Sequence, residues 1–262
     1  MPMRLTVLLG CPLALVALEA GSPARGADGI AAQVAVTHAF FDEALVGTRV
    51  VGLPRQVHQT TTAIGVSYRL PQTNFVVDGR SGFGRMTGSA EPATELLDSA
   101  IGLTWVVPGL APLGLRTRVG IILPGSYEVL EAESFGVGAG AVEASIAISH
   151  PLTEHGLRAM ADLGYRLVGE DAPDRLVGSF GVAQRWIGME AALAYRHDHS
   201  LSGHDFGEGS PQGVRRIAGF AEISLGRTLG TATQAHVAVA KAIQGRNKAE
   251  KTQVSVVLDH RF

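Results

Sequence analysis

One stretch of this chain, HDHSLSGHDF, contains the side chains best suited to hold a metal ion. It includes His197, Asp198, His199, His204 and Asp205. Imidazole nitrogens and carboxylate oxygens at such spacings can bind a divalent cation such as zinc. The stretch matches no recognised zinc motif, however, and the same residue types are ordinary in polar turns. We therefore predict no metal site. If the chain did bind a metal ion, His197, His199 and His204 would be the candidate ligands.

The same stretch raises the question of nucleophilic catalysis. Ser200, Ser202 and His204 lie close in sequence, but a hydrolytic site needs a serine, a histidine and an orienting acid or amide that converge in space. The chain has no nucleophile elbow, and GFGRMTGS (82–89) lacks the strand–turn–helix context of a phosphate loop. We therefore expect neither an enzyme nor a cofactor.

A larger set of charged side chains occupies alternate positions of otherwise apolar segments. If these segments are strands of a closed sheet, the charges line a lumen, where opposite charges on neighbouring strands can pair. The residues predicted to line this lumen, and hence a solute path, are Arg69, Asp98, Arg116, Arg118, Glu143, Arg158, Asp162, Arg166, Glu190, Arg196 and Glu222. Two interpretations remain open, a conducting lumen with charged walls or a narrow barrel filled by arginine–carboxylate pairs.

The segments that must position these side chains show a two-residue period. In AIGVSYRL (63–70), Ile64, Val66 and Tyr68 alternate with Gly65 and Ser67. Such segments of about ten residues are typical of membrane barrel strands. The predicted strands are 31–41, 57–70, 74–83, 96–107, 113–123, 138–149, 156–168, 175–185, 188–197, 214–225, 230–242 and 252–262.

The connections between these strands alternate in length. Five of the six odd-numbered connections, such as 42–56, 124–137 and 198–213, are longer than any even-numbered one. A soluble β-sandwich also shows alternating strands, but its charged face would be expected to carry more than the three lysines found here. The sequence thus predicts an all-β fold, an antiparallel transmembrane β-barrel of about 12 strands with short periplasmic turns and longer extracellular loops.

The N-terminal segment has the features of a secretory signal. An apolar run over 5–18 follows Arg4, and small residues permit cleavage after Ala24 or Ala27. Cys11, the only cysteine, lies within this run, which continues seven residues beyond it and so disfavours a lipoprotein signal. We predict a signal peptide at 1–27 and a barrel at 28–262, located in an outer membrane of the Gram-negative type. The formal net charge of −2 gives no basis for binding nucleic acid.

The chain ends on QVSVVLDHRF, a strictly alternating strand that carries Phe262 on its apolar face. In a closed barrel this strand pairs with the first one, and Phe262 points outward into the lower aromatic girdle. An outward terminal phenylalanine resembles the signature that the barrel-assembly machinery reads in bacterial outer-membrane proteins. Phe262 is therefore predicted to be an assembly signal, with that machinery and the outer-membrane lipid as partners.

Three segments carry a resemblance to a known family: GLRTRVGIILPGSY (114–127), FGVGAGAVEASIAISHPL (135–152) and ADLGYRLVGEDAPDRLVGSFGVAQRW (161–186). They are similar to the outer-membrane transporters grouped as "MetA-pathway of phenol degradation". The chain departs from the family at Pro124, where a proline-threonine-glycine turn is frequent, and at Arg85, where an acid often follows the Ser-Gly-x-Gly stretch.

The resemblance implies passive transport of small molecules, including hydrophobic or aromatic ones. One alternative is a structural or adhesion barrel with a plugged lumen, whose outer loops at 42–56, 124–137 and 198–213 make the contacts. A third is a rim enzyme acting on lipids, which would need serine and histidine within hydrogen-bond reach. Transport, unlike adhesion, needs a continuous lumen.

Overall fold

A computed structural model describes residues 7–8, 29–46, 48–88, 93–126, 133–134, 139–169, 172–204 and 214–262. Twelve long strands dominate it, one for each predicted segment. They are β1 (Ile30–Val46), β2 (Arg49–Arg69), β3 (Phe75–Thr87), β4 (Ser99–Val107), β5 (Gly114–Leu123), β6 (Ala141–Pro151), β7 (Leu157–Val168), β8 (Arg175–Trp186), β9 (Met189–Ser200), β10 (Ile217–Leu229), β11 (Thr233–Arg246) and β12 (Thr252–Arg261).

Each long strand pairs antiparallel with the next, and the sheet closes on itself. β12 pairs with β1 in the register Val256↔Val36, and the Phe262 amide donates to the Ile30 carbonyl at 3.0 Å. Closure leaves no unpaired sheet edge among these twelve strands. The predicted twelve-stranded antiparallel barrel is therefore confirmed.

Four shorter strands complete the described sheet structure. Ala93–Leu96 extends the sheet beside the end of β3, and Lys248–Ala249 pairs with the end of β1. Val7–Leu8 pairs in parallel with Glu133–Ser134. The rest of the predicted signal segment 1–27, with Cys11 and both cleavage positions, lies outside the described residues.

Both ends of the barrel sequence lie at the rim that carries the short turns, which is the periplasmic rim in barrels of this kind. At the opposite, outer rim the first connection differs from the prediction. The prediction of a long loop at 42–56 is wrong, because β1 continues to Val46 and β2 begins at Arg49. A register irregularity between Phe41 and Glu43 bends this hairpin, and pairing resumes at Glu43↔Gly52. Alternation alone does not predict such an irregularity.

The outer face of the barrel is apolar around its whole circumference. Side chains such as Val119, Ile121 and Leu193 are about half exposed, while their neighbours of opposite parity face inward. At the periplasmic rim, this face carries exposed aromatic side chains, namely Tyr68, Phe75, Trp105, Trp186 and Phe262. An apolar band above an aromatic girdle matches a bilayer and its interface. No helix in the described part of the chain is long and apolar enough to cross a membrane.

Candidate solute path on the inner face of the barrel

The inner face changes from partly exposed to buried along the barrel axis. In the periplasmic half most inner side chains remain partly exposed, including Ser67, Asp78, Thr104, Arg116, Ser149, Arg158, Ala192, Ser224, His236 and Asp259. In the outer half they are buried, including Thr37, Gln59, Thr61, Ala100, Ile122, Glu143, Arg166, Arg196, Glu222, Ala240 and Ser255. The lumen is therefore accessible from the periplasmic rim and packed towards the outer rim.

An apolar cluster closes the outer end of this packed half. The outer apolar cluster comprises Phe41, Ala44, Val57, Met86, Leu97, Val214 and Ala249, with Val46 and Leu53 packed against it. Two members come from connections that fold over the barrel. The Leu97 amide donates to the Gly82 carbonyl at 2.8 Å, and next to Val214 the Arg215 amide donates to the His204 carbonyl at 2.8 Å. Outer connections thus contribute side chains to the closure.

A chain of ion pairs crosses the inner face at mid-height. Arg118 donates through Nη2 to Asp78 at 2.8 Å and through Nη1 to Glu143 at 2.8 Å. The other oxygen of Glu143 accepts from Nε of Arg166 at 2.5 Å. The Glu143 side chain is almost completely buried, with 2% of its surface exposed. The network therefore joins β3, β5, β6 and β7 through one shared carboxylate and one shared guanidinium.

Gly102 on β4 makes the contact between Arg118 and Asp78 possible. Arg118 on β5 meets Asp78 on β3, so its side chain must pass over β4. It passes over Gly102, where an added Cβ would overlap the guanidinium. Gly102 is therefore required for close approach of a side chain, and not for an unusual backbone conformation.

Four further arginine–carboxylate contacts line the same wall. Glu190 accepts from Arg158 at 3.0 Å and from Arg185 at 3.2 Å. The remaining two pairs are Arg175–Asp198 at 3.0 Å and Arg196–Glu222 at 2.8 Å. Asp162 instead accepts a hydrogen bond from the Ser179 hydroxyl. The Arg158–Glu190 contact spans β8, and the other ion pairs of this group join neighbouring strands, as cross-strand contacts permit.

All eleven residues predicted to line the lumen have the parity of the inner face, but they do not form one site. Eight of them take part in the contacts described above. Asp98 instead accepts from the Gly125 amide at 2.9 Å and so anchors an outer connection. Arg69 and Arg116 lie near the periplasmic rim. Their use as a solute path remains a prediction.

The histidine–aspartate stretch is not brought to one point. Residues 197–200 belong to β9, not to an outer loop, so His197 and His199 face outward while Asp198 faces inward and binds Arg175. The two imidazoles stack at a centroid distance of 5.8 Å. Asp205 lies outside the described residues. Within the described ranges, no group of three or more His, Cys, Asp or Glu side chains could hold a metal ion.

The serine of the same stretch has a structural contact. Ser200 is fully buried, and its Oγ accepts from the Arg216 amide at 3.1 Å. Its hydroxyl thus satisfies a backbone donor where β9 ends. Ser200 is therefore shielded from solvent, whereas a nucleophile must be accessible to its substrate.

Sequence reasoning missed a group at the outer end of the lumen. Phe220 faces inward, and its ring centroid lies 5.1 Å from Nζ of Lys248, 5.8 Å from Nζ of Lys251 and 5.7 Å from Cζ of Arg196. Burial lowers the pKa of Lys248 to about 8. One signal could have drawn attention to this group. All three lysines of the chain occur between Lys241 and Lys251.

The closed antiparallel sheet, its apolar outer face and its aromatic rim define a transmembrane β-barrel. A solved structure with this fold is an outer-membrane channel from Pseudomonas putida F1, with a TM-score of 0.76 and 12% identity over 91% of this chain and 97% of that one. The expected outer-membrane barrel fold is thus confirmed.

Two further solved β-barrels have lower TM-scores than this channel. The translocator domain of the autotransporter NalP from Neisseria meningitidis has a TM-score of 0.47 and 14% identity, over 91% of this chain and 90% of that one. The monoaromatic hydrocarbon channel CymD has a TM-score of 0.47 and 10% identity, over 91% and 90%. No family model matches the chain, and no curated protein matches it.

Proposed function

We propose that this protein is an outer-membrane channel for passive passage of small molecules, closed at its outer end in the conformation described here. The observation that carries the proposal is the gradient along the inner face, partly exposed in the periplasmic half and buried in the outer half. In a lumen that is partly exposed in the periplasmic half and packed in the outer half, passage would require displacement of a single barrier. The similar barrel from Pseudomonas putida F1, itself a channel, supports this proposal.

The barrier has the composition of a hydrophobic gate. The members of the outer apolar cluster are uncharged, although the buried cations Lys248 and Lys251 lie at the same end of the lumen, and apolar constrictions can gate channels by excluding water. Leu97 and Val214 belong to outer connections and not to barrel strands. Because such segments open at lower free energy than a closed sheet, displacement of these two side chains is the step that we assign to opening. A small hydrophobic or aromatic solute would cross this cluster more readily than a sugar.

Two partners remain part of the proposal. The apolar outer face would contact outer-membrane lipid. Phe262 is well placed as an assembly signal, because its side chain is 78% exposed on the outer face beside the first strand.

Solute flux into liposomes that carry the refolded protein tests the channel. We would compare the wild type with the double variant Met86→Ala/Leu97→Ala, using a small sugar. Removing two buried side chains from the outer apolar cluster should raise sugar flux several-fold. Leu123→Ala is the matched control, because Leu123 faces outward and is 50% exposed. Saturable binding of phenol, which crosses bilayers unaided, would be measured separately on the wild type.

A second candidate is a structural barrel whose lumen never opens. The buried ion pairs around Glu143 favour it, because side chains that fill a lumen can stabilise a barrel without any passage. If neither the wild type nor the double variant conducts sugar, and phenol does not bind saturably, the channel proposal fails and this candidate is supported. Both proteins must first migrate as folded barrels in unheated gels.

A further inference from the structure

Three cations surround one aromatic ring at the outer end of the lumen. We call Arg196, Lys248 and Lys251, together with Phe220, the outer cation cluster. All four side chains are at least nine-tenths buried, and each cationic group lies within 6 Å of the ring centroid. Cation–π contacts at this distance are attractive, but they do not cancel the repulsion between three positive charges.

A bulge in β11 turns the lysine into the lumen. Phe220 pairs with Ala242, whereas Gly219 pairs with Gln244, so Ile243 has no partner in the register. Ile243 and Gln244 both face outward, and Gly245 takes the inward position. Beyond the bulge the parity of the strand is therefore reversed.

Gly245 then leaves space for the lysine side chain. A Cβ added at Gly245 would overlap the side chain of Lys248. The chain turns at Asn247, whose φ of 49° is tolerated better by asparagine than by most residues. The Lys248 side chain folds back over the glycine and reaches Phe220. Two local features of the sequence thus place this ammonium inside the barrel.

One charge of the cluster, that of Lys248, has no carboxylate in contact with it. Glu222 binds Arg196 at 2.8 Å. The Lys248 ammonium has no hydrogen-bond partner among the described residues, although the side chain is buried. The carboxylate of the neighbouring Glu250 attracts it only through space. A buried ammonium without a partner is costly, and desolvation accordingly lowers the pKa of Lys248. The Lys248 ammonium is therefore a buried positive charge that an anion would neutralise.

The surroundings of Lys248 indicate which kind of anion fits. Lys248 pairs with Leu45 on β1, and the next pair, Ala249↔Ala44, belongs to the outer apolar cluster. A positively charged site thus borders an apolar surface at the same height in the barrel. This combination suits a molecule with an oxyanion at one end and a hydrocarbon part at the other.

We propose that the outer cation cluster binds the carboxylate of a small amphiphilic organic acid, whose apolar part packs against the outer apolar cluster. The proposal deepens the channel function proposed above and rests on it, because the acid would be a solute held at the barrier. Lys248 would donate to the carboxylate, and the positive field of Arg196 and Lys251 would strengthen the contact.

Equilibrium dialysis with the refolded full-length protein in detergent tests this site. Benzoate is the probe, benzamide is its neutral isostere, and inorganic phosphate is an oxyanion without an apolar part. We expect saturable benzoate binding by the wild type and at least about ten-fold weaker binding by Lys248→Met, since the charge-assisted hydrogen bond to the carboxylate is lost. Lys241→Met is the matched control, because Lys241 faces outward and is exposed, and it should bind benzoate like the wild type.

Each alternative outcome overturns a stated part of the proposal. Equal benzoate binding by the wild type and Lys248→Met would exclude the site, as would absence of saturable binding. Benzamide binding as tight as that of benzoate would exclude recognition of the charge, and phosphate binding as tight as benzoate would exclude the apolar subsite. Lys248→Arg keeps the charge and should retain binding, so it distinguishes loss of the site from a folding defect in Lys248→Met.

The same preparations separate failure of the site from failure of the channel. Sugar flux through Met86→Ala/Leu97→Ala liposomes without benzoate binding by the wild type would leave the channel proposal standing and overturn the anion site. Benzoate binding without flux in any variant would overturn the channel and show a binding site in a closed barrel, so the acid could not be a transported solute.

Discussion

Glu143 is the residue whose loss should most weaken the barrel, because it joins two arginines across three strands. Its oxygens accept from Arg118 at 2.8 Å and from Arg166 at 2.5 Å. In Glu143→Gln the amide oxygen can still accept from one arginine, while the amide NH2 group faces the donor of the other. Arg118 keeps Asp78 as a partner, so Arg166 is the cation left without its partner from the network.

The expected cost follows from that one lost contact. A hydrogen bond between charged groups contributes about 1.5–3 kcal/mol, and breaking a buried ion pair on one side costs about 3–5 kcal/mol. Because one contact of two survives, we expect the free energy of unfolding to fall by about 3 kcal/mol. Urea unfolding of the protein refolded in lipid vesicles measures this value.

The matched control is Glu154→Gln. Glu154 lies in an exposed periplasmic turn, and neutralising it should change the free energy of unfolding by less than about 0.5 kcal/mol. A loss below about 1 kcal/mol in Glu143→Gln would refute the reasoning. It would show that water or rearranged side chains satisfy the arginines, and that the network contributes little to holding β5, β6 and β7 together.

Three further predictions concern backbone space, assembly and protonation. Gly102→Ala should lower the free energy of unfolding by about 1–3 kcal/mol because its Cβ overlaps the Arg118 guanidinium. Gly52→Ala, which meets no atom within 4 Å, should not lower it, and equal losses would contradict this explanation. Phe262→Ala should reduce the amount of folded barrel in cell outer membranes but not refolding in detergent, and unchanged amounts in cells would exclude an assembly signal. Because the pKa of Lys248 falls from 10.5 to about 8 on folding, the unfolded chain binds more protons between these values. Wild-type stability should therefore rise with pH across this window by a larger amount than that of Lys248→Met, and parallel pH profiles would contradict the shift.

The two-residue period was sufficient to predict the strands and the parity of the ladder. Arg118 and Val119 are neighbours in sequence, yet one faces the lumen and the other the lipid, as strand geometry requires. Which carboxylate meets which arginine was not predictable from parity. The Arg118–Asp78 pair joins residues 40 positions apart across an intervening strand, and it depends on register and on the absence of a side chain at Gly102.

Irregular pairing explains most of what the sequence did not reveal. The unpaired residue Ile243 reverses the parity of β11, so Lys248, expected in an outer connection, lies inside the barrel. The irregularity after Phe41 has a similar effect on β1, where Ala44 becomes buried although alternation would place it outside. A single extra residue exchanges the two faces of a strand, and a hydrophobic pattern read from one sequence does not locate it.

In the packed outer half, the inner face divides into two walls of different chemistry. The charged wall carries the pairs around Glu143 and the pairs Arg175–Asp198 and Arg196–Glu222. The opposite wall, on β12, β1 and β2, carries buried amides and hydroxyls, namely Thr37, Gln59, Thr61, Gln253 and Ser255. A solute at this height would therefore meet charges on one side and neutral hydrogen-bonding groups on the other.

The outer cation cluster lies between β9 and the start of β12, where these two walls meet. Ion pairs such as Arg196–Glu222 can fill a lumen with charges that cancel, and a plugged barrel would need nothing more. The Lys248 ammonium adds a buried charge that no described acceptor binds, which lowers stability without improving the packing. Residues that lower stability in this way are commonly found at functional sites. This unmatched charge therefore favours a lumen that receives an anion over one that is merely filled.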